Sequence, residues 1–125
     1  MKEDFTFPRV EKLKSKKMIE NVFKNGFVVK SYPIRVQFVF HDNTEAPRCQ
    51  VSVSVSKRHF KSAVDRNRIK RQLREIYRLN KKNLITKLDA SNKRLAMMII
   101  YTSGEKLDYS TIEHKVLTTL AKIRV

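Results

Sequence analysis

Tryptophan is missing from this 125-residue chain, cysteine occurs once, glycine twice and proline three times. The lone Cys49 excludes an intramolecular disulfide, so nothing ties the chain to an oxidising compartment, and a small buried thiol is the plain reading of it. Gly26 and Gly104 stand far apart and cannot build a loop that cradles a nucleotide phosphate. With so little Gly and Pro and no repeat or low-complexity stretch, the sequence does not describe a disordered tail. No apolar run approaches the roughly 18 residues that span a bilayer. The N-terminus is charged within its first four residues, unlike a secretory leader. A cytoplasmic protein with no membrane partner is expected.

Acids are the scarcest resource, with 12 Asp or Glu against 28 Lys or Arg and a net charge of +16. A protein nuclease normally shows clustered carboxylates for metal ions or a histidine pair for acid–base work. Here the acids are scattered, Glu3-Asp4 being the only adjacent pair, and His41, His59 and His114 fall in three separate elements. No catalytic residue and no metal ligand is therefore assigned to the protein.

What is present is enough for one domain over residues 1–125, since 41% of the chain is hydrophobic. Residues 1–14 read as an extended, basic N-terminal segment in which Phe5 and Phe7 pack onto the domain and Pro8 keeps Phe7 out of the helical region. Met18, Ile19, Val22 and Phe23 recur at helical spacing between Ser15 and Asn25, and Gly26 follows as a stop. Ile34, Val36, Phe38 and Phe40 alternate with Arg35, Gln37 and Val39 in a strand that ends in the turn-rich segment from His41 to Pro47, with a shorter strand at Val28 to Ser31 before it. Cys49, Val51, Val53 and Val55 alternate with Gln50, Ser52, Ser54 and Ser56, which gives one core face and one small polar face.

Helical periodicity resumes near Ser62 and runs to about Asn80, with Ile69, Leu73, Ile76 and Tyr77 as the apolar stripe. Steps of about 100° put Asn67, Arg71, Arg74 and Arg78 opposite, flanked by Lys70. Asn80 to Lys93 reads as a short extra helical turn or a mobile basic connector. Leu95 to Tyr101 is an unbroken apolar run, as in a strand covered on both faces inside a sheet. Ser110 and Glu113 have capping-box spacing ahead of a last helix with Ile112, Val116, Leu117, Leu120 and Ile123. Helix, strands, helix, strand, helix describes an α+β two-layer sandwich.

Between Lys57 and Lys82, eleven Lys or Arg stand against Asp65 and Glu75, a net +9 of the chain's +16. A charge run on a helix is most often a solvated face, but three details argue for a polyanionic partner. The i to i+4 acids that support a mixed-charge helix are missing from the face. Four of the five basic residues from Arg66 to Arg74 are Arg, whose planar fork suits phosphates. Asn67 adds a neutral donor and acceptor. Concentrated like charge is relieved by a nucleic acid that sheds its counterions.

These residues resemble the protein component of bacterial ribonuclease P. The match is Phe60, Ala63, Arg66-Asn67-Arg68-Ile69-Lys70-Arg71, Leu73 and Arg74, reinforced by Val53-Ser54-Val55-Ser56-Lys57-Arg58, Phe7-Pro8-Arg9 and Val22-Phe23-Lys24-Asn25-Gly26. The resemblance implies a mostly four-stranded sheet of the ribosomal protein S5 domain 2-like kind, with a left-handed β-α-β crossover against the general right-handed rule. It implies a subunit that helps a catalytic RNA remove the 5′ leader of precursor tRNA. Magnesium is expected in that RNA, no cofactor on the protein, and no obligate protein partner.

Carried over position by position, Lys57, Arg58, Lys61, Arg66, Asn67, Arg68, Lys70, Arg71 and Arg74 would meet the RNA. Ile19, Phe23, Gln37 and Ser54 would line a cleft for the single-stranded leader. Phe23 as a helix core residue remains the plainer alternative. Another class of RNA-binding module, ribosomal or assembly-related, also fits the composition. An acidic membrane surface fits less well, because the apolar stripe of the basic helix is needed by the core.

Overall fold

A computed structural model describes residues 7–125 of the chain, so the expected packing of Phe5 and the Glu3-Asp4 pair lie outside the described residues. A short 3-10 turn at Arg9–Glu11 is followed by α1 (Lys16–Asn25), β1 (Phe27–Ser31), β2 (Ile34–His41), β3 (Cys49–Val55), α2 (Ala63–Ala90), β4 (Arg94–Tyr101) and α3 (Tyr109–Ala121). The turn departs from the fully extended segment expected there. Phe7 does pack onto the domain, its ring 5.5 Å from that of Tyr77.

Local chemistry sets the element ends. Ser15 caps α1, its Oγ accepting the Met18 N–H. Gly26 ends α1 with an ordinary φ of −77°, so its value is space and not left-handed freedom. A Cβ there would fall 2.1 Å from the Val22 carbonyl oxygen and 3.0 Å from that of Phe38. α3 begins one residue before Ser110, and its cap is Asp108, whose carboxylate accepts the Thr111 N–H at 2.8 Å. The Ser110–Glu113 capping box is thereby corrected: an acceptor two residues earlier already satisfies the end.

The four strands form one sheet in the order β1-β2-β4-β3. β4 lies inside it, antiparallel to β2 and parallel to β3, and is buried on both faces as its unbroken apolar run requires. α2 and α3 cover the face that carries Val36, Phe38, Val51, Val53, Leu95, Met97 and Ile99. α1 covers part of the other face through Leu13, Val22, Val39, Ala96 and Met98. In α3 the inward positions are Ile112, Val116 and Thr119, while Leu117 is exposed; the Thr119 hydroxyl satisfies itself on the Lys115 carbonyl at 2.7 Å.

Chain chirality fixes the hand of the β3-α2-β4 crossover. Val51 faces α2 and turns its carbonyl outward to the Leu13 N–H at 2.9 Å, while Leu95 faces the same way and donates its N–H to the Arg48 carbonyl at 2.8 Å. For L-residues seen from the side-chain face with the strand running upward, the peptide groups of that residue point right. β4 therefore lies to the left of β3 when viewed from α2, and the crossover is left-handed, the rare form.

α2 is 28 residues long and absorbs most of the segment that reads as a connector. The apolar stripe continues through Leu84 and Leu88, and the polar break at its centre is Lys81, which occupies a core position. Its ammonium lies 2.8 Å from the Glu11 carboxylate, with side-chain exposures of 4% and 13%, so the buried charge is paired. The helix ends where Asn92 takes a left-handed φ of 51° and the Lys93 N–H reaches back to the Leu88 carbonyl.

Candidate nucleic-acid interface

One side of α2 is core and the other is cation. Ile69, Leu73, Ile76 and Tyr77 are buried, Leu73, Ile76 and Tyr77 completely, while Asn67, Arg68, Arg71 and Arg74 are exposed and Lys70 is half-buried. Among the described residues, Arg68, Lys70, Arg71 and Arg74 hold no acidic partner. The nearby acids are engaged elsewhere. Asp65 sits 3.0 Å from the Lys106 ammonium, and Glu75 binds Arg78 at 2.6 Å, which holds its carboxyl below the usual range. Arg78 is thus the one arginine of the expected face tied into an intrahelical ion pair.

Arg66 differs from its neighbours. Half-buried, it donates through Nη1 to the carbonyls of Phe60 at 2.6 Å and Lys61 at 2.9 Å. That staples the preceding loop to the start of α2, where Ser62 caps the helix by accepting the Asp65 N–H. Phe60 anchors the loop from below, buried with its ring 6.0 Å from Tyr101. Lys57, Arg58 and Lys61 stay exposed on the stapled loop, next to the cationic side of the helix.

The second region lies on the other face of the sheet. α1 crosses the strands from Leu13, bonded to Val51 on β3, to Gly26, which abuts the Phe38 carbonyl on β2 before the chain enters β1. Helical spacing sets Ile19 and Phe23 on one flank of α1 and Asn21 and Asn25, hydrogen-bonded at 2.8 Å, on the other. Ile19 and Ile100 pack against the same cluster, so the Ile19–Phe23 flank overlooks the row in which Ser54, Ile100, Arg35 and Lys30 stand side by side on β3, β4, β2 and β1.

Flank and row form a groove parallel to α1. Phe23 is 48% exposed on its wall and Ser54 half-exposed on its floor, whereas Ile19 is half-buried. Gln37, only 7% exposed, lies on the same sheet face, in the part that α1 covers. A hollow lined by Phe7, Leu13, Ser52, Val53 and Arg74 follows the outer edge of β3 and reaches the cationic side of α2 at Arg74. Sequence reasoning missed Lys30 and Arg35, although the alternation that placed Gln37 also places Arg35 on this face.

Acid–base candidates are dispersed. No group of three His, Cys, Asp or Glu gathers at metal-binding distance among the described residues. Burial pushes the Cys49 thiol up to about 12, and the thiol is the polar group against the buried Tyr77 hydroxyl, which lacks a full hydrogen bond. His41 is held below its ordinary value by burial and by Arg94.

Comparisons with known proteins agree with this geometry. A family model described as Ribonuclease P matches residues 7–124. The chain is 34% identical over 119 residues to the ribonuclease P protein component of Porphyromonas gingivalis, covering 95% of this chain and 87% of the relative. It is 33% identical over 122 residues to that of Dictyoglomus thermophilum, covering 95% and 89%. The RNase P protein structure from Staphylococcus aureus superposes with a TM-score of 0.71 at 21% identity, covering 89% of this chain and 93% of that one. The one from Thermotoga maritima gives 0.69 at 24%, covering 92% and 99%.

Proposed function

This chain belongs to the ribonuclease P protein family, and on that premise we propose that it acts without a catalytic site of its own, binding the catalytic RNA of ribonuclease P and the 5′ leader of precursor tRNA. The observation that carries this reading is the row formed by Arg68, Arg71 and Arg74 on α2, rigidly backed by a core stripe and without an acidic partner among the described residues. Each guanidinium that meets a phosphate releases condensed counterions, and its planar fork adds a directional hydrogen bond. Because Leu73, Ile76 and Tyr77 lock the helix into the core, these side chains dock without first ordering a backbone. Lys57, Arg58 and Lys61 extend the contact along the stapled loop.

The leader lies in the groove beside α1. Phe23 offers a ring face on which a base can stack, worth about 1 to 3 kcal/mol, and Ser54 a hydroxyl. The metal ions that activate water belong to the RNA in this reading, and the protein's share is charge neutralisation and positioning. Family membership disfavours a ribosomal or assembly module. A membrane role finds no support in the helices, since among the described residues none is long and apolar enough to cross a bilayer. The test is reconstitution with a bacterial catalytic RNA at low magnesium. Precursor tRNA is expected to be cleaved faster with this protein than without it, and equal rates would refute the proposal.

A further inference from the structure

We propose that the leader does not stop at Phe23 but continues across the strands to the β1 edge, with its phosphates held by Lys30 and Arg35. The inference rests on the leader reading and extends it to two residues outside the set carried over from the family. Lys30 and Arg35 are direct cross-strand partners, both exposed, on the face that α1 only partly covers. Like charges set opposite each other destabilise an antiparallel pair, because their Cβ atoms stand about 5 Å apart. Neither side chain has an acidic partner among the described residues, and that face of the sheet carries no Asp or Glu on any of its four strands. The Lys122 ammonium, 2.6 Å from the Lys30 carbonyl, adds a third cation at the same corner.

A lysine on an edge strand also guards against edge-to-edge pairing. That explains Lys30 but not Arg35, which stands on the interior strand β2. An anion bridging the two explains both. The row Ser54, Ile100, Arg35 and Lys30 crosses three strand spacings, about 14 Å, enough for a few nucleotides of extended strand. It starts beside the basic loop at Lys57 and Arg58 and passes Ile100, a half-exposed apolar surface, before reaching the cations. A polyanion entering from the RNA-facing end therefore meets hydroxyl, apolar contact, then charge, with the Phe23 ring alongside.

The experiment compares the wild-type holoenzyme with one carrying the double variant Lys30→Ala, Arg35→Ala, using precursor tRNAs whose leaders run from one nucleotide to about ten. Expected are an unchanged affinity for the one-nucleotide leader and for the catalytic RNA, and a loss of roughly tenfold for the long leader, as two exposed charge pairs supply. The salt slope for the long-leader precursor should shrink by roughly 1.4, two single-strand phosphates at about 0.7 each. The thermal midpoint should hold, since the substitution removes a repulsion. If wild type and variant profit equally from a longer leader, the row is not the path and the inference is wrong while the leader groove stands. If wild type itself gains nothing from a longer leader, the leader reading fails and this inference with it.

Discussion

Arginines that look alike in the stretch from Arg66 to Arg74 have different work. Arg68 and Arg71 project from α2 and hold no hydrogen bond or ion pair among the described residues, so Ala at either position should weaken binding to the catalytic RNA and leave the thermal midpoint within about a degree. Arg66→Ala should do both, because it also frees the carbonyls of Phe60 and Lys61 and loosens the loop; a loss of about 1 kcal/mol in denaturant unfolding is expected, with the RNA defect partly secondary. An Arg66→Ala variant as stable as wild type would show that the staple holds nothing. For Phe23, nearly half exposed, Ala should impair precursor handling while assembly with the RNA stays intact, and equal loss of both would place its ring in the core instead. His41 supplies a pH dependence. Its folded-state pKa lies below the ordinary value, so its contribution to stability is complete above about 6.5 and is lost as pH falls from there. Melting scans between pH 7 and 5 should therefore show a decline that His41→Asn reduces.

At the scale of elements, β3 and the first half of α2 are legible because their inward positions are apolar and most of their outward ones polar, and β4 because its apolar run is unbroken. The second half of α2 is not, because the residue at the decisive inward position is Lys81. Its burial depends on Glu11, 70 residues away in a short turn, and no local pattern announces that pairing. The α3 cap was misread for a related reason, since both Asp108 and Ser110 are good acceptors and the spacing to Glu113 favours the wrong one. In the groove, alternation identifies which residues share the sheet face but not which of them α1 covers: Gln37 and Arg35 share that face, yet Gln37 is buried and Arg35 exposed. The extended α2 makes a sharp prediction. Leu88 is fully buried, and Leu88→Ala should destabilise by about 2 to 5 kcal/mol in urea titration, whereas a mobile connector would tolerate it within about 0.5 kcal/mol.

At the scale of the whole molecule the charge is partitioned by the sheet. α2 and its loop present one cationic surface, the groove beside α1 lies on the opposite face, and a hollow lined in part by Arg74 and Ser52 runs along the β3 edge between the two faces. The left-handed crossover contributes to this layout. It puts α2 on the face opposite α1, while the strand order leaves β3 at the outer edge; the basic loop after Val55 and the Ser54 row then occupy the same end of the molecule, and one folded RNA with its substrate strand can meet both. Such a layout has a measurable signature. If about six of the α2 and loop cations neutralise phosphates, log affinity for the catalytic RNA should fall with log salt at a slope of roughly −4 to −5. Each Ala at Arg68, Arg71 or Arg74 should lower the steepness by somewhat under one, whereas the Lys30–Arg35 double variant, facing the groove and not the ribozyme, should leave this slope alone and flatten only the one for precursor. A steepness near zero for the wild type would mean that these guanidinium groups do not face phosphate. An RNA-binding slope equally sensitive to both sets of substitutions would mean that the two faces do not divide the labour.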